Sequence, residues 1–79
     1  MKELENKIFV LDNGEKYSVV ETVSYNNKIY AYLVNINDEM DSMFKEVCIL
    51  DNEINLEDID KDLFKKNIVG LFIERIKSS

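Results

Sequence analysis

The first two thirds of the chain alternates apolar and polar residues with the period of two that is typical of β-strands. Runs rich in Val, Ile and Tyr are separated by pairs of Asn, Asp or Gly, which favour turns. This pattern predicts four strands and a short fifth one, at 7–11, 16–25, 28–36, 43–50 and 54–56. Because consecutive strands are joined by short connections, we expect an antiparallel meander sheet of four to five strands.

After Asp60 the apolar period changes to that of an α-helix. The residues that form the apolar stripe are Phe64, Ile68, Leu71, Phe72 and Ile76. The stripe predicts one amphipathic C-terminal α-helix over 61–77, with Asp60 as its N-cap, packed on one face of the sheet. Gly70 in its interior is expected to let the helix approach the sheet closely. The predicted fold class is therefore α+β.

Two turns predict the register of the first three strands. Asn13-Gly14 and Asn26-Asn27 suit two-residue type I′ turns, because these residues tolerate the positive φ that both central positions require. Counting outward from the turns predicts the following pairs: Ile8 with Val19, Val10 with Tyr17, Val23 with Tyr30, Glu21 with Tyr32, and Val19 with Val34.

In this register both faces of the sheet are apolar. The face expected to receive the helix carries Ile8, Val10, Tyr17, Val19, Val23, Tyr30, Tyr32, Val34 and Ile36. The other face is expected to leave an apolar patch for an interface, formed by Phe9, Val20, Ile29 and Leu33. Three outcomes are open for that patch: a homodimer through the sheet, a partner protein, or coverage by residues 1–6 and the connections of the fourth strand.

Length and composition predict one small acidic domain over residues 1–79, close to the lower limit for a single apolar core. No apolar run approaches the roughly 20 residues needed to span a bilayer, and the start "MKELENKIF" lacks the apolar segment of a secretion signal. The single cysteine, Cys48, cannot form an internal disulfide. These observations predict a cytoplasmic protein that does not bind membranes.

The formal net charge of −6 is concentrated in one part of the chain. Residues 37–62 contain many more acids than bases, whereas the remainder is slightly basic. Since like charge repels phosphates, direct binding to nucleic acid or an anionic membrane is not expected. A basic protein partner is expected instead.

The stretch "DNEINLEDIDKD" at 51–62 has the spacing of a calcium loop, but Leu56 stands where the sharp bend requires Gly, and Asp62 replaces the bidentate Glu. No metal site is predicted. One interpretation is a solvated acidic connection that starts the helix. The other is an acidic partner-binding surface, which would consist of Asp38, Glu39, Asp41, Asp51, Glu53, Glu57, Asp58, Asp60 and Asp62.

Residue types argue against an enzyme. The chain has no His, and its two glycines, Gly14 and Gly70, do not form a phosphate loop. Cys48, between Val47 and Ile49, is expected to be a small buried apolar residue. No catalytic residue and no cofactor is predicted.

The order of elements resembles a known family. The features that carry the resemblance are Asp12-Asn13-Gly14, the strand containing Thr22, and Lys28, Tyr30, Leu33 and Val34 in the next strand. Over residues 9–72 the chain is similar to the YrzB-like small acidic bacterial proteins of unknown function. This resemblance implies no catalytic residues. Similar small acidic proteins also occur in phages and mobile elements, where inhibitors of host defence nucleases are common.

Two functions follow as expectations. The first is a non-enzymatic phage or mobile-element inhibitor that imitates nucleic acid, in the manner of an anti-CRISPR protein, and docks its acidic surface onto a basic nucleic-acid-binding host protein. The alternative is a small bacterial regulatory or structural domain that self-associates through the apolar sheet face.

Overall fold

A computed structural model describes residues 7–78 as a curled five-stranded antiparallel sheet followed by one helix. The strands are β1 (Ile8–Val10), β2 (Lys16–Tyr25), β3 (Lys28–Asn35), β4 (Asp38–Leu50) and β5 (Glu53–Glu57). They lie side by side in the order β1-β2-β3-β4-β5, so each strand pairs with its neighbours in sequence. This arrangement confirms the predicted α+β fold with a meander sheet.

The C-terminal helix, α1, spans residues 61–78 in three consecutive parts. Lys61–Leu63 and Val69–Ser78 are α-helical, and Phe64–Ile68 between them has π-helical hydrogen bonding. Asp60 occupies the N-cap position, but its side chain makes no capping hydrogen bond. The periodicity predicted the helix and its start but not the π-helical turn, which widens the helix locally.

Two tight turns have the φ values of type I′. Asn26 and Asn27, with φ of 51° and 65°, form the predicted turn between β2 and β3. Asp51 and Asn52, with φ of 50° and 67°, connect β4 to β5 in the same way. These short polar side chains tolerate the left-handed region.

The turn between β1 and β2 differs from the prediction. Only Gly14 has positive φ, at 81°, and Leu11 pairs with Glu15 around a three-residue loop. The extra loop residue shifts the register by one, so Tyr17 lies opposite Phe9 rather than Val10.

A β-bulge at Val20 changes the pairing of β2 with β3. Beyond the bulge the predicted pairs of Val23 with Tyr30 and of Glu21 with Tyr32 are confirmed. Before it, Val19 lies opposite Leu33, so the predicted pair with Val34 is wrong. One inserted residue moves every earlier side chain of β2 to the opposite face.

The polar segment 37–42, predicted to be a loop, belongs mostly to β4. This strand begins at Asp38, and Asn35 pairs with Asp38 across a tight turn. The register then shifts, so that Val34 pairs with Ser42, and the intervening acidic residues lie on β4 itself.

The inner face of the curled sheet encloses a core without any help from the helix. Its buried residues are Tyr17, Val19, Ala31, Leu33 and Val47. Phe9 from one edge strand and Ile54 and Leu56 from the other pack against the same core. Curling therefore allows the sheet to bury its second apolar face.

The helix α1 packs on the outer face of the sheet. Val23 and Tyr30 from the sheet and Ile68 and Phe72 from the helix are buried there. Phe44 lies at the centre of an aromatic cluster, with ring centroids 4.8 Å from Tyr32, 4.8 Å from Phe64 and 4.9 Å from Phe72.

The apolar patch predicted on the free face is not an exposed surface. Leu33 is 0% exposed, and Phe9 and Ile29 are partly buried against the inner core, whereas Val20 at the bulge is 52% exposed. The expectation assumed a flat sheet, and the curled sheet buries this face on itself. The third outcome considered was coverage by residues 1–6 and the connections of the fourth strand. Residues 1–6 lie outside the described residues, whereas Ile54 and Leu56, which follow the fourth strand, pack against this core.

Candidate protein-binding surface

In an antiparallel meander, alternate turns lie at the same end of the sheet. The β1–β2 turn and the β3–β4 turn therefore share one end, and the β2–β3 and β4–β5 turns share the other. The carboxylates of the first end are Asp12, Glu15, Asp38, Glu39 and Asp41, and we call this group the acidic end.

The single acidic surface expected from the sequence is not assembled. Asp51 and Glu53 lie at the opposite end of β4, which has 13 residues. The molecule measures 31 × 31 × 24 Å and β4 is its longest strand, so the two ends of β4 lie farther apart than a Debye length of about 8 Å. These carboxylates consequently act separately from the acidic end.

Asp12 and Glu15 belong to the acidic end but were not among the predicted site residues. Asn35 connects the two turns, because its Nδ2 donates to Glu15 Oε2 at 3.3 Å and to Asp41 Oδ2 at 3.1 Å. In a predicted meander, alternate turns lie at the same end of the sheet. This rule, applied to the sequence, would have grouped Asp12 and Glu15 with Asp38 and Asp41.

Asp41 is held in place rather than free on the surface. The Tyr17 hydroxyl donates to its Oδ2 at 2.5 Å, and this bond, followed by the one from Asn35, lowers the pKa of the Asp41 carboxyl below its ordinary value. Asp41 therefore keeps its charge at neutral pH while it fastens β4 to β2.

The tip of the β3–β4 turn is ordered by local hydrogen bonds. The backbone N–H of Asn37 donates to Asn35 Oδ1 at 2.8 Å, and that of Met40 donates to Asp38 Oδ1 at 3.1 Å. Glu39 and Met40 are exposed beside Asp38. This tip thus presents charge and an apolar side chain together on a defined backbone.

The remaining predicted acids lie where β5 passes into α1. Asp58 is hydrogen-bonded to Lys45, which lowers the pKa of the Asp58 carboxyl. Asp60 and Asp62 are exposed at the helix start, next to Lys61 and close in sequence to Lys65 and Lys66. Neighbouring bases reduce the net field of this region, so it is less suited to attract a basic partner.

Cys48 contacts two carboxylates, contrary to the expectation of an apolar environment. Its Sγ lies 2.8 Å from Glu57 Oε2 and 3.2 Å from Glu46 Oε2. These two hydrogen bonds raise the pKa of the thiol to about 12. Glu57 faces Glu46 across the β4–β5 ladder, which explains why an acid distant in sequence arrives at this position.

Glu46, Cys48 and Glu57 also form the one group in residues 7–78 whose potential metal-ligating atoms converge, all within 4.8 Å of one another. A thiolate with two carboxylates is a donor set that Zn²⁺ accepts. With the proton retained, however, the thiol is a poor ligand and a poor nucleophile at neutral pH.

Part of the outer face beside the acidic end is not covered by α1, because none of its aliphatic residues belongs to the cluster that contacts the helix. Ladder pairing aligns Ile8 with Ser18 and Ser18 with Val34, and aligns Val10 with Lys16. The Ile36 N–H donates to the Lys16 carbonyl at 3.0 Å, which adds Ile36 to the same row. We call the four aliphatic residues of these rows the outer patch: Ile8, Val10, Val34 and Ile36.

Three residues of the outer patch are substantially exposed, since Ile8 is 53%, Val10 64% and Ile36 47% accessible, and Val34 between them is partly buried. Sequence reasoning assigned all four residues to the covered core face. The shifted β1 register and the bulge at Val20 leave these residues on the outer side, while Tyr17 and Val19 move inward.

Comparison of the chain with protein-family models, curated proteins and solved structures gave no match. The resemblance to the YrzB-like proteins therefore stays a prediction. In the described part of the chain, no helix combines the length and apolar character required to cross a bilayer.

Proposed function

We propose that the protein is a non-enzymatic binding module that docks its acidic end onto a basic surface of another protein. The observation that carries this proposal is the convergence of two turns whose segments, 12–16 and 36–41, contain five acids and one base. The bonds from Tyr17 and Asn35 to Asp41 support it further, because they fix the backbone that presents the charges.

The proposed partner is a basic nucleic-acid-binding protein of a host cell, and the proposed role is that of a phage or mobile-element inhibitor. Duplex DNA carries about one charge per 1.7 Å of axis, and a basic channel built for that density also attracts clustered carboxylates. Such attraction accelerates association and weakens steeply as salt rises.

A second candidate function is self-association as a regulatory or structural domain. The exposure of Val10 and Ile36 on the outer patch favours it, whereas burial of Leu33 argues against the face originally expected. Lys16 lies among the patch residues, so a symmetric pairing would bring two like charges together.

A charge-neutralising comparison tests the proposal. The test variant carries Asp12→Asn, Asp38→Asn and Glu39→Gln, and the control carries Asp51→Asn, Glu53→Gln and Asp62→Asn, with the same change in net charge. Proteins retained from a bacterial lysate by the wild-type chain are identified, and the retained basic protein is then titrated with each variant.

We expect the test variant to bind at least about tenfold more weakly and the control to bind as wild type does. Duplex DNA should displace the partner, and affinity should fall about tenfold or more between roughly 50 and 200 mM salt. Equal loss in both variants, or binding that neither DNA nor salt affects, would contradict the proposal.

A further inference from the structure

We infer that the docking partner contributes an amphipathic basic segment, whose aliphatic side chains cover the outer patch while its Lys or Arg residues meet the acidic end. This inference rests on the proposed function and adds the chemistry of the contact. The relevant observation is that the exposed aliphatic residues lie on strand ends that lead into the turns carrying Asp12, Asp38 and Glu39. The other two carboxylates of the acidic end, Glu15 and Asp41, are bonded on the side of the inner face.

The outer patch is continuous across three strands. Ile8 and Val10 lie two residues apart on β1 and therefore share a face, as do Val34 and Ile36 in and just after β3. Between them, β2 contributes only Ser18 and Lys16. A short polar residue and a flexible Lys stem leave the aliphatic groups open to a partner.

The patch is not needed for either core. Its counterparts under α1, such as Tyr30 and Val23, are buried, whereas Val10 is 64% exposed in the same sheet. Contiguous exposed aliphatic residues rimmed by polar ones are typical of protein-interaction sites. The outer patch has this composition.

The carboxylates next to the outer patch indicate what kind of partner segment would bind there. On β1 the patch residue Val10 is followed two positions later by Asp12, and Ile36 is followed two positions later by Asp38. Both strands thus pass from an aliphatic contact directly to a carboxylate. A segment that fills the patch with Leu or Ile side chains consequently gains ion pairs if bases flank them, which is the pattern of an amphipathic basic helix or strand.

A second copy of the chain fits this surface less well. Lys16 lies in the same row as Val10, and a symmetric contact through the patch would bring Lys16 of each copy, and the acidic ends, into proximity. Repulsion between like charges disfavours that arrangement. A basic segment also meets Lys16, but its bases face the five carboxylates of the acidic end, so the net interaction is attractive.

Two synthetic peptides test the inference. One is an amphipathic helix of Leu and Lys, and the other is a flexible peptide with the same number of Lys residues separated by Gly and Ser. Each is titrated into ¹⁵N-labelled protein at low salt, and affinities are measured by fluorescence anisotropy. We expect the Leu/Lys peptide to bind about tenfold or more tightly than the other, since burial of even two aliphatic side chains supplies that factor.

Changes in amide chemical shift should distinguish contact with the outer patch from contact with the acidic end. The Leu/Lys peptide should perturb Ile8, Val10, Val34 and Ile36 in addition to the acidic end, whereas the Gly/Ser/Lys peptide should perturb the acidic end alone. The double variant Val10→Thr with Ile36→Thr should reduce the affinity for the Leu/Lys peptide to that for the flexible one, about tenfold. Thr preserves β-propensity, so the fold should be retained.

Ile49→Thr is the matched control, because Ile49 is 52% exposed but lies near the other end of β4. It should leave both affinities unchanged. Equal affinities for the two peptides, or equal effects of the control and the double variant, would overturn the inference and leave the proposed function standing. Failure of both peptides to bind would overturn both. A dimer in sedimentation experiments that the double variant abolishes would assign the patch to a second copy and overturn the inference.

Discussion

The hydroxyl of Tyr17 donates a hydrogen bond to Oδ2 of Asp41 at 2.5 Å, across 24 positions of the chain. This bond joins β2 to the irregular start of β4, where the register shifts. Asn35 donates to the same carboxylate oxygen and to Glu15. These hydrogen bonds, which we call the polar anchor, fix the backbone of the acidic end and favour the ionised form of the Asp41 carboxyl.

Removal of the Tyr17 hydroxyl should loosen this anchor without creating a cavity. We expect Tyr17→Phe to lower the thermal midpoint by roughly 5 °C, since one hydrogen bond to a charged group is lost in a small protein. Thermal denaturation followed by circular dichroism measures the change. The double variant Tyr17→Phe with Asp41→Asn should cost less than the sum of the single variants, and strict additivity would show that the bond contributes nothing.

The pH dependence of stability should carry the contribution of Asp41. Its folded-state pKa lies below the ordinary value of 3.8, so its contribution is complete above the unfolded-state pKa and is lost as pH falls through the folded-state pKa. Asp41→Asn should therefore be less stable than wild type at pH 7, and the gap should narrow below about pH 4. Chemical denaturation at a series of pH values checks this; a gap that stays constant down to pH 2 would be the contrary result.

Cys48 should react slowly with thiol reagents although it is only half-buried. With a pKa of about 12 instead of 9.0, its thiolate is scarce at pH 7.5. The lower thiolate fraction outweighs the higher intrinsic reactivity, so we expect a reaction with Ellman's reagent about 30-fold slower than that of an unstructured cysteine peptide.

Neutralising one carboxylate identifies the cause of this slow reaction. Glu57→Gln should speed the reaction several-fold, because the Glu57 hydrogen bond is the largest contribution to the raised pKa of Cys48. Glu53→Gln, on the same strand but away from the thiol, should leave the rate unchanged. If both variants react alike, limited access rather than the pKa protects Cys48.

Leu33 and Val20, predicted together as interface residues, should respond oppositely to substitution. Leu33 is 0% exposed, so Leu33→Ala should cost about 3 kcal/mol and Leu33→Lys should prevent folding. Val20→Ala at the exposed bulge should cost less than about 1 kcal/mol. Urea denaturation measures the free energies of unfolding; a folded, monomeric Leu33→Lys variant would contradict the buried inner core.

The two glycines should also differ. A Cβ at Gly70 would meet nothing within 4 Å, so the close approach of helix and sheet expected there is wrong, and Gly70→Ala should stabilise α1 by about 0.5–1 kcal/mol. At Gly14, whose φ is 81°, Ala should destabilise by about 1 kcal/mol or more. Matched urea denaturation curves give both values, and equal effects of the two substitutions would be inconsistent with these backbone angles.

Local sequence features determined the elements of this fold. The period of two, the change to helical spacing after Asp60 and the Asn26-Asn27 turn all act over a few residues, and all three predictions are confirmed. Residue types likewise predicted where the charges lie along the chain, because charge is a property of each side chain alone.

Only tertiary structure decided which side chains share a surface. One extra residue in the Gly14 loop and one at Val20 were sufficient to reverse the faces of Tyr17 and Val19, because side-chain direction alternates at every position of a strand. Packing of the whole core determines whether the three-residue loop and the bulge form. No short segment of the sequence is therefore sufficient to predict them.

Tertiary structure also decided which acidic residues lie close together. The sequence grouped Asp38 with Asp51 by proximity along the chain, yet β4 separates them and the meander turns bring Asp38 toward Asp12 instead. Carboxylates interact through space over about a Debye length, whereas a sequence orders them by covalent distance. Strand pairing decides which residues that are distant along the chain lie close in space, and it exists only in the folded chain.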